Sequence, residues 1–266
     1  MRPRKPRPKQ TTLPRPKRRT EAESAPPQRE PRHGLARVIS KLGIASRTQA
    51  TIWIGAGRVA VNGRIVRDAE MPIDAARDRI AVDGAQIGAQ ERIYLMLNKP
   101  RGYVTSAADE RGRDTVYALF ADAGLPWLAP VGRLDKASEG LLLFTNDSVW
   151  AAHITAPESQ LDKTYHVQID RLPDAALLDA LSVGIDERGE HLCVKAVREL
   201  RRGDKNAWLE IVLDEGRNRQ IRRILSAVDV GVLRLMRVAV GGLMLGTLAK
   251  GAWRKLDEDE AARLVR

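Results

Sequence analysis

A carboxylate at the entrance of an apolar strand, with an arginine two residues before it, is the arrangement in this 266-residue chain best suited to chemistry. Residues 131–147 read Val-Gly-Arg-Leu-Asp-Lys-Ala-Ser-Glu-Gly-Leu-Leu-Leu-Phe-Thr-Asn-Asp. A short apolar run, Gly140 to Phe144, bounded by turn formers is the pattern of a buried strand. Asp135 is therefore expected at the lip of a core, beside Arg133. Taken alone, such an aspartate could equally be a turn residue accepting hydrogen bonds from local amides.

Three further segments bear on the choice. In Asp162-Lys163-Thr164-Tyr165, strand alternation points Lys163 and Tyr165 to one face. The Tyr165 ring is a surface on which a base could stack, worth about 1–3 kcal/mol, or an ordinary cross-strand tyrosine. Residues 215–223, Glu-Gly-Arg-Asn-Arg-Gln-Ile-Arg-Arg, carry four arginines (Arg217, Arg219, Arg222, Arg223) at a strand-to-helix junction. Asn98-Lys99-Pro100-Arg101-Gly102 is a rigid basic turn, with Lys99 and Arg101 suited to phosphate, or simply a hairpin end.

Composition bounds what these residues can be doing. With 43% apolar residues the chain can bury a substantial core. No apolar stretch approaches the roughly 20 residues of a membrane span, and the N-terminus lacks the apolar segment of a secretory signal, so a cytoplasmic, non-membrane protein is expected. One cysteine, Cys193, excludes an internal disulfide, and the four histidines show no metal-ligand spacing, so neither metal nor redox chemistry is expected. The formal net charge is +11, and residues 1–32 hold eleven Lys or Arg against three Glu, or 11 − 3 = 8 of that excess, together with eight of the fourteen prolines. This reads as a disordered basic arm that neutralises phosphates without reading sequence.

From residue 33 the pattern becomes that of a folded module reaching to residue 85. Leu35, Val38, Ile39 and Leu42 fall on one helix face closed by Gly43, and Ser46 can cap a second helix. Val59 to Val66 forms two alternating strands around Asn62-Gly63, a strong hairpin signal, and a further strand runs from Arg79 to Val82. Arg37, Lys41, Arg47, Arg58 and Arg64 are then available for one surface. The unit resembles the small RNA-binding module named after ribosomal protein S-four, through Ala45-Ser46-Arg47 and the run Gly57 to Gly63. Thr48-Gln49 stands where a basic-acidic pair is commoner in that module. Residues 86–92 read as a linker.

A second domain, 93–266, opens with an apolar strand at Ile93 to Leu97, and Tyr103 to Ser106 is expected to return as a strand. Helices are expected at Thr115 to Phe120, near Ser148 to Ile154, at Pro173 to Leu181, at Arg217 to Val228 and from Glu258. Strands are expected at Thr164 to Ile169, His191 to Val197, Trp208 to Leu213 and Leu233 to Val240. Strands outnumber helices and mostly follow one another, which argues for an α+β fold on a mixed, mainly antiparallel sheet with flanking helices.

Taken together, Leu97 to Tyr103, Gly132 to Asp135 with Ser138 to Leu142, Lys163 to Tyr165 and Glu215 to Arg223 resemble the pseudouridine synthases that join an S-four module to a catalytic domain. That family modifies uridines in bacterial ribosomal RNA. The resemblance implies Asp135 as the catalytic carboxylate, Tyr165 as the ring on which the base stacks, and Leu213 as an apolar neighbour of the base. It implies Arg217 as the arginine paired with the aspartate and Arg133 as the side chain that enters the space left by the target nucleotide. Lys99, Arg101, Lys163, Arg219 and Arg222 are expected to meet RNA along with the five basic residues of the module. Isomerisation breaks the N1–C1′ bond, turns the uracil in place and joins its C5 to C1′, with no cofactor required. An ionised aspartate in a partly apolar site needs a cation close by, because burial disfavours charge and an opposite charge favours it.

The expected partner is ribosomal RNA or a ribosomal precursor particle, met by a monomer. The opening Asn98 to Ser106 looks most like family members acting on large-subunit (23S) RNA, with a small-subunit (16S) target as the alternative. A non-enzymatic RNA-binding assembly factor is the competing reading from another class.

Overall fold

The computed structural model describes residues 33–106, 112–187 and 189–265, so the basic segment 1–32 lies outside it. After β1 (His33–Gly34), Leu35, Val38 and Ile39 recur at helical spacing and bury one face of α1 (Leu35–Lys41), and Gly43 takes a left-handed conformation just beyond. Helix α2 (Arg47–Gly55) starts where the Ser46 hydroxyl accepts the Gln49 amide at 3.0 Å. Strands β2 (Val59–Val61) and β3 (Arg64–Ile65) meet at Asn62-Gly63, both with positive φ, as a tight hairpin requires. β4 (Pro72–Ile73) pairs back on β1, and β5 (Ile80–Val82) pairs with β2. Leu35, Ile39, Ile54, Val59 and Ile80 close this module's own core.

The segment expected as a linker is in part a strand. Asp83-Gly84 makes a second positive-φ turn, so β6 (Ala85–Ile87) adds to β5. The connection beyond it is fastened: the Gln90 amide donates to the Leu42 carbonyl, the Asn146 side-chain amide donates to the Glu91 carbonyl, and the Ile93 amide donates to Asn146 Oδ1.

The remainder runs β7 (Tyr94–Lys99), β8 (Ala129–Val131), β9 (Glu139–Thr145), α3 (Ser148–Thr155), β10 (Lys163–Ile169), α4 (Ala175–Val183) and the hairpin β11 (Ile185–Glu187) and β12 (Glu190–Leu192). It continues with β13 (Ala196–Arg202), β14 (Ala207–Leu213), α5 (Gln220–Ala227), β15 (Val232–Val240), β16 (Leu243–Met244), β17 (Trp253–Lys255) and α6 (Glu258–Arg263). A nine-stranded mixed sheet has the order β13-β14-β10-β15-β9-β7-β17, with β16 on β15 and β8 on β9. Tyr103 to Ser106 is not a strand: Val104 makes a single bridge to Thr115. Thr115 to Phe120 gives only a 3-10 turn, Val116–Phe120, and the basic helix begins at Gln220 rather than at Arg217. No described helix is long and apolar enough to cross a membrane.

Every residue of β9 is buried. Leu141 and Leu143 pack with Trp150, Ile154 and Leu264, whereas Leu142 and Phe144 pack on the other face with Leu95, Leu97 and Leu134. Each such side chain contributes roughly 1.5–3 kcal/mol. The far half of the sheet carries Val167, Ile169, Leu209 and Ile211 against α4 and α5.

The two halves join where β9 meets β15, the one parallel strand pairing among the described residues, at Glu139 with Met236 and Gly140 with Arg237. Gly140 has φ +102°, and a Cβ there would stand 2.2 Å from the Arg237 carbonyl oxygen. Gly140→Ala is therefore expected to destabilise the protein by about 2–4 kcal/mol, read as a lower urea midpoint with an unchanged slope. A wild-type midpoint would remove the close approach as a determinant of this junction.

Candidate active site

The loop between β8 and β9 presents Asp135 because the segment after β7 holds it by its backbone. Lys99 is fully buried, and its Nζ donates to the carbonyls of Pro100 (3.0 Å), Asp135 (3.1 Å) and Ser138 (2.8 Å). The Gly102 amide donates to the Lys136 carbonyl at 2.8 Å, and the Thr105 hydroxyl donates to the Leu134 carbonyl at 2.8 Å. Lys99 is thus enclosed by protein carbonyls and not presented at the surface, where the sequence reading set it for phosphate contact. It ends a strand buried on both faces, and its charge is spent on loop carbonyls. Burial lowers its pKa from 10.5 to about 8, opposed by the charges of Asp135 and Glu139.

Asp135 lines the cleft with its side chain 35% exposed, less enclosed than a buried strand entrance suggested. Its Oδ2 accepts from Arg219 Nη1 at 3.2 Å. Arg217, expected in that place, instead donates to Glu215 Oε2 (2.8 Å) and to the His191 carbonyl (2.7 Å). The reason is where α5 begins. The buried Gln220 side chain donates to Glu215 Oε1 and to the Cys193 carbonyl, so residues 217–219 form a turn ahead of the helix. Arg219 takes a left-handed backbone (φ 50°, ψ 30°), a conformation costing a non-glycine residue roughly 1–2 kcal/mol. Half-buried Arg222 donates to the Ala137 carbonyl at 3.3 Å. Its pKa lies below the usual arginine value, lowered by burial and then by the Arg219 charge, with Asp135 opposing. Arg223 turns away to Glu187 and Glu190.

Across the cleft, of about 530 Å³, stand Tyr165, Leu213 and Arg237. Tyr165 lies on β10 between Ile211 and Arg237 in register, and Leu213 is buried opposite Lys163. Lys163 Nζ donates to the Asp214 carbonyl at 3.2 Å, and its pKa is lowered by burial and then by the Arg237 charge. Arg237 is a site residue that sequence reasoning misses. It lies in β15 without any charged neighbour in sequence to mark it as functional, yet it is buried and its Nε donates to the Leu141 carbonyl at 2.8 Å. An arginine directly before Val238-Ala239-Val240 is the only local signal.

The other basic residues stay at the periphery. Arg133 is exposed on the cleft rim, and exposed Arg101 donates to the Leu233 carbonyl at 3.4 Å. In the module, Arg37, Arg47 and Arg64 are exposed, while Lys41 Nζ meets His33 Nε2 at 2.9 Å. Arg58 is engaged: it holds Asp83 through two bonds, at 2.9 and 2.5 Å, and lies 5.3 Å from the Trp53 ring centroid.

The buried ammonium carries a pH signature. Folded Lys99 releases its proton near pH 8 against 10.5 in the unfolded chain, so the unfolded state binds more protons between those values and stability rises with pH there. The stability difference between wild type and Lys99→Met, from urea melts, should shift in favour of wild type from pH 8 to 10.5; a flat difference would show Lys99 titrating normally.

Comparison with known proteins gives this geometry a family. Residues 93–227 match the model of RNA pseudouridylate synthases, and residues 34–80 match that of the S4 domain. The chain is 37% identical over 234 residues to an uncharacterized RNA pseudouridine synthase of Aquifex aeolicus, covering 87% of this chain and 93% of the relative. It is 36% identical over 233 residues to the ribosomal large subunit pseudouridine synthase B of Bacillus subtilis, covering 86% and 94%. A crystal structure of a pseudouridylate synthase superimposes with TM-score 0.61 at 33% identity, covering 88% of this chain and all of that one. The chain thus belongs to the RNA pseudouridine synthases, enzymes that isomerise uridine in RNA, and carries an S4 domain ahead of its catalytic fold.

Proposed function

We propose that this enzyme converts a uridine of ribosomal RNA, in the large subunit, to pseudouridine, with Asp135 as the reacting carboxylate. The observation that carries the reading is the Asp135–Arg219 pair in a cleft also lined by Tyr165 and Leu213. Attack on C1′ and abstraction of a sugar proton both need an ionised carboxylate, and the Arg219 guanidinium stabilises that form. The target nucleotide leaves its helix at a cost of a few kcal/mol, offset by stacking on Tyr165 worth about 1–3 kcal/mol. Exposed Arg133, which also lines the cleft, fills the gap left behind in this reading. After N1–C1′ cleavage the uracil must stay and turn before C5 bonds to C1′ and loses its proton, so the apolar wall at Leu213 serves retention. The large-subunit assignment is supported by the Asn98 to Ser106 opening and by the likeness to the Bacillus subtilis relative, named for the large ribosomal subunit. In this reading the enzyme acts as a monomer in the cytoplasm, as its sequence suggests.

On ribosomal RNA from cells lacking the gene, labelled with tritium at uridine C5, Asp135→Asn is expected to abolish tritium release, and wild-type release by that variant would end the assignment. Carbodiimide mapping should place the new pseudouridine in large-subunit RNA, and a small-subunit position would overturn that part. Under single turnover, Arg219→Ala is expected to cost on the order of 10²-fold and Arg217→Ala only a few-fold, because one removes a preorganised charge at the reacting carboxylate and the other a loop brace. The reverse order would return Arg217 to the central role.

A further inference from the structure

Glu139, four residues after Asp135, is the first residue of β9 and wholly buried. Cations reach it from two separate elements. Arg234 of β15 places Nε and Nη2 2.9 Å from Oε1, and Lys250, in the segment before β17, places Nζ 2.7 Å from Oε2. The buried Lys99 adds a third positive charge from the end of β7. Both partner elements are themselves tied down. Arg234 lies 5.4 Å from the Trp208 ring centroid, while Asn98 donates to the Leu248 carbonyl and accepts the Gly251 amide on its own carbonyl, each at 2.8 Å. Burial pushes the Glu139 carboxyl up, and the hydrogen bonds and charges of Lys250 and Arg234 outweigh it, holding the group below the usual carboxylate value.

A buried ion cluster is a poor device for stability alone, since desolvation costs several kcal/mol per ion and apolar packing serves as well. Its place in the chain suggests another use. Asp135 reaches the cleft from the β9 side of β15, whereas Arg219 arrives from the β14 side, so the seating of β9 on β15 sets their spacing. Only two residue pairs stand in strand register at that junction, and Glu139 belongs to one of them. We propose that Glu139 is a positioning residue for the reaction: clamped by Arg234 and Lys250, it fixes the downstream end of the Asp135 loop so that the carboxylate stays on Arg219 as a nucleotide enters. This rests on Asp135 being the reacting carboxylate. Misplacement of a reacting group by ~1 Å costs on the order of 10²-fold, so the clamp acts on rate and not on RNA affinity.

Glu139→Gln keeps the shape and removes the charge. On ribosomal RNA from cells lacking the gene, its single-turnover rate at saturating RNA should fall roughly 10–100-fold while Kd stays within about 2-fold and circular dichroism remains native. Lys250→Met and Arg234→Met should show smaller losses of the same kind. Combining Lys250→Met with Glu139→Gln should add little, because both break one cluster. A wild-type rate for folded Glu139→Gln overturns the proposal. Should that variant fail to fold, Lys250→Met decides: a slower rate at unchanged Kd supports positioning, an unchanged rate overturns it, and weaker binding at an unchanged rate makes Lys250 an RNA contact and overturns it too. Wild type and Asp135→Asn run alongside. A fully active Asp135→Asn refutes the underlying reading, whereas a silent one beside a wild-type Glu139→Gln refutes the positioning role alone.

Discussion

The architecture of the cleft hangs on one ammonium group removed from water. Lys99 ends β7 with no exposed surface, and the loop that carries Asp135 bends so that two of its carbonyls, with that of Pro100, converge on Nζ. An ion without such partners would cost several kcal/mol to bury. The charge therefore dictates the path of the loop, and the loop dictates where the carboxylate stands. Leu134, anchored in the apolar cluster just before Asp135, leaves the turn little room to slide.

A second constraint comes from crowding among cations. The four arginines of residues 217–223 have four different fates: Arg217 braces its own turn, Arg219 meets Asp135, Arg222 supports the Ala137 carbonyl, and Arg223 faces Glu187 and Glu190. The left-handed backbone at Arg219 aims that side chain into the cleft instead of along the helix. Strained positions persist where surrounding contacts over-determine them, and the buried Gln220 bonds beside it supply that determination.

What could be read from the sequence was what depends on neighbours in the chain. The apolar run of β9, the alternation that sets Lys163 and Tyr165 on one face, and the Asn62-Gly63 hairpin all appear where local pattern places them. The arginine that meets Asp135 could not be read that way, because α5 begins where Gln220 finds the Cys193 carbonyl, on a distant part of the chain. Lysine is among the residues least often buried, so nothing local marks Lys99 as internal. Two of its three acceptors lie more than 30 residues onward. Strands of two or three residues such as β8, β16 and β17 carry too little pattern to register, and they form only because a longer strand offers them an edge.

The parallel seating of Glu139 and Gly140 on β15 has a consequence for how the protein comes into being. The partners are about a hundred residues apart, with all of β10 to β14 between them. Closing so long a loop carries an entropic cost that must be met before the contact returns anything. A growing chain therefore exposes its Asp135 segment well before the strand that seats it has been made, and no fragment ending short of β15 can possess the complete cleft. The cleft is complete only once β15 has joined the central sheet.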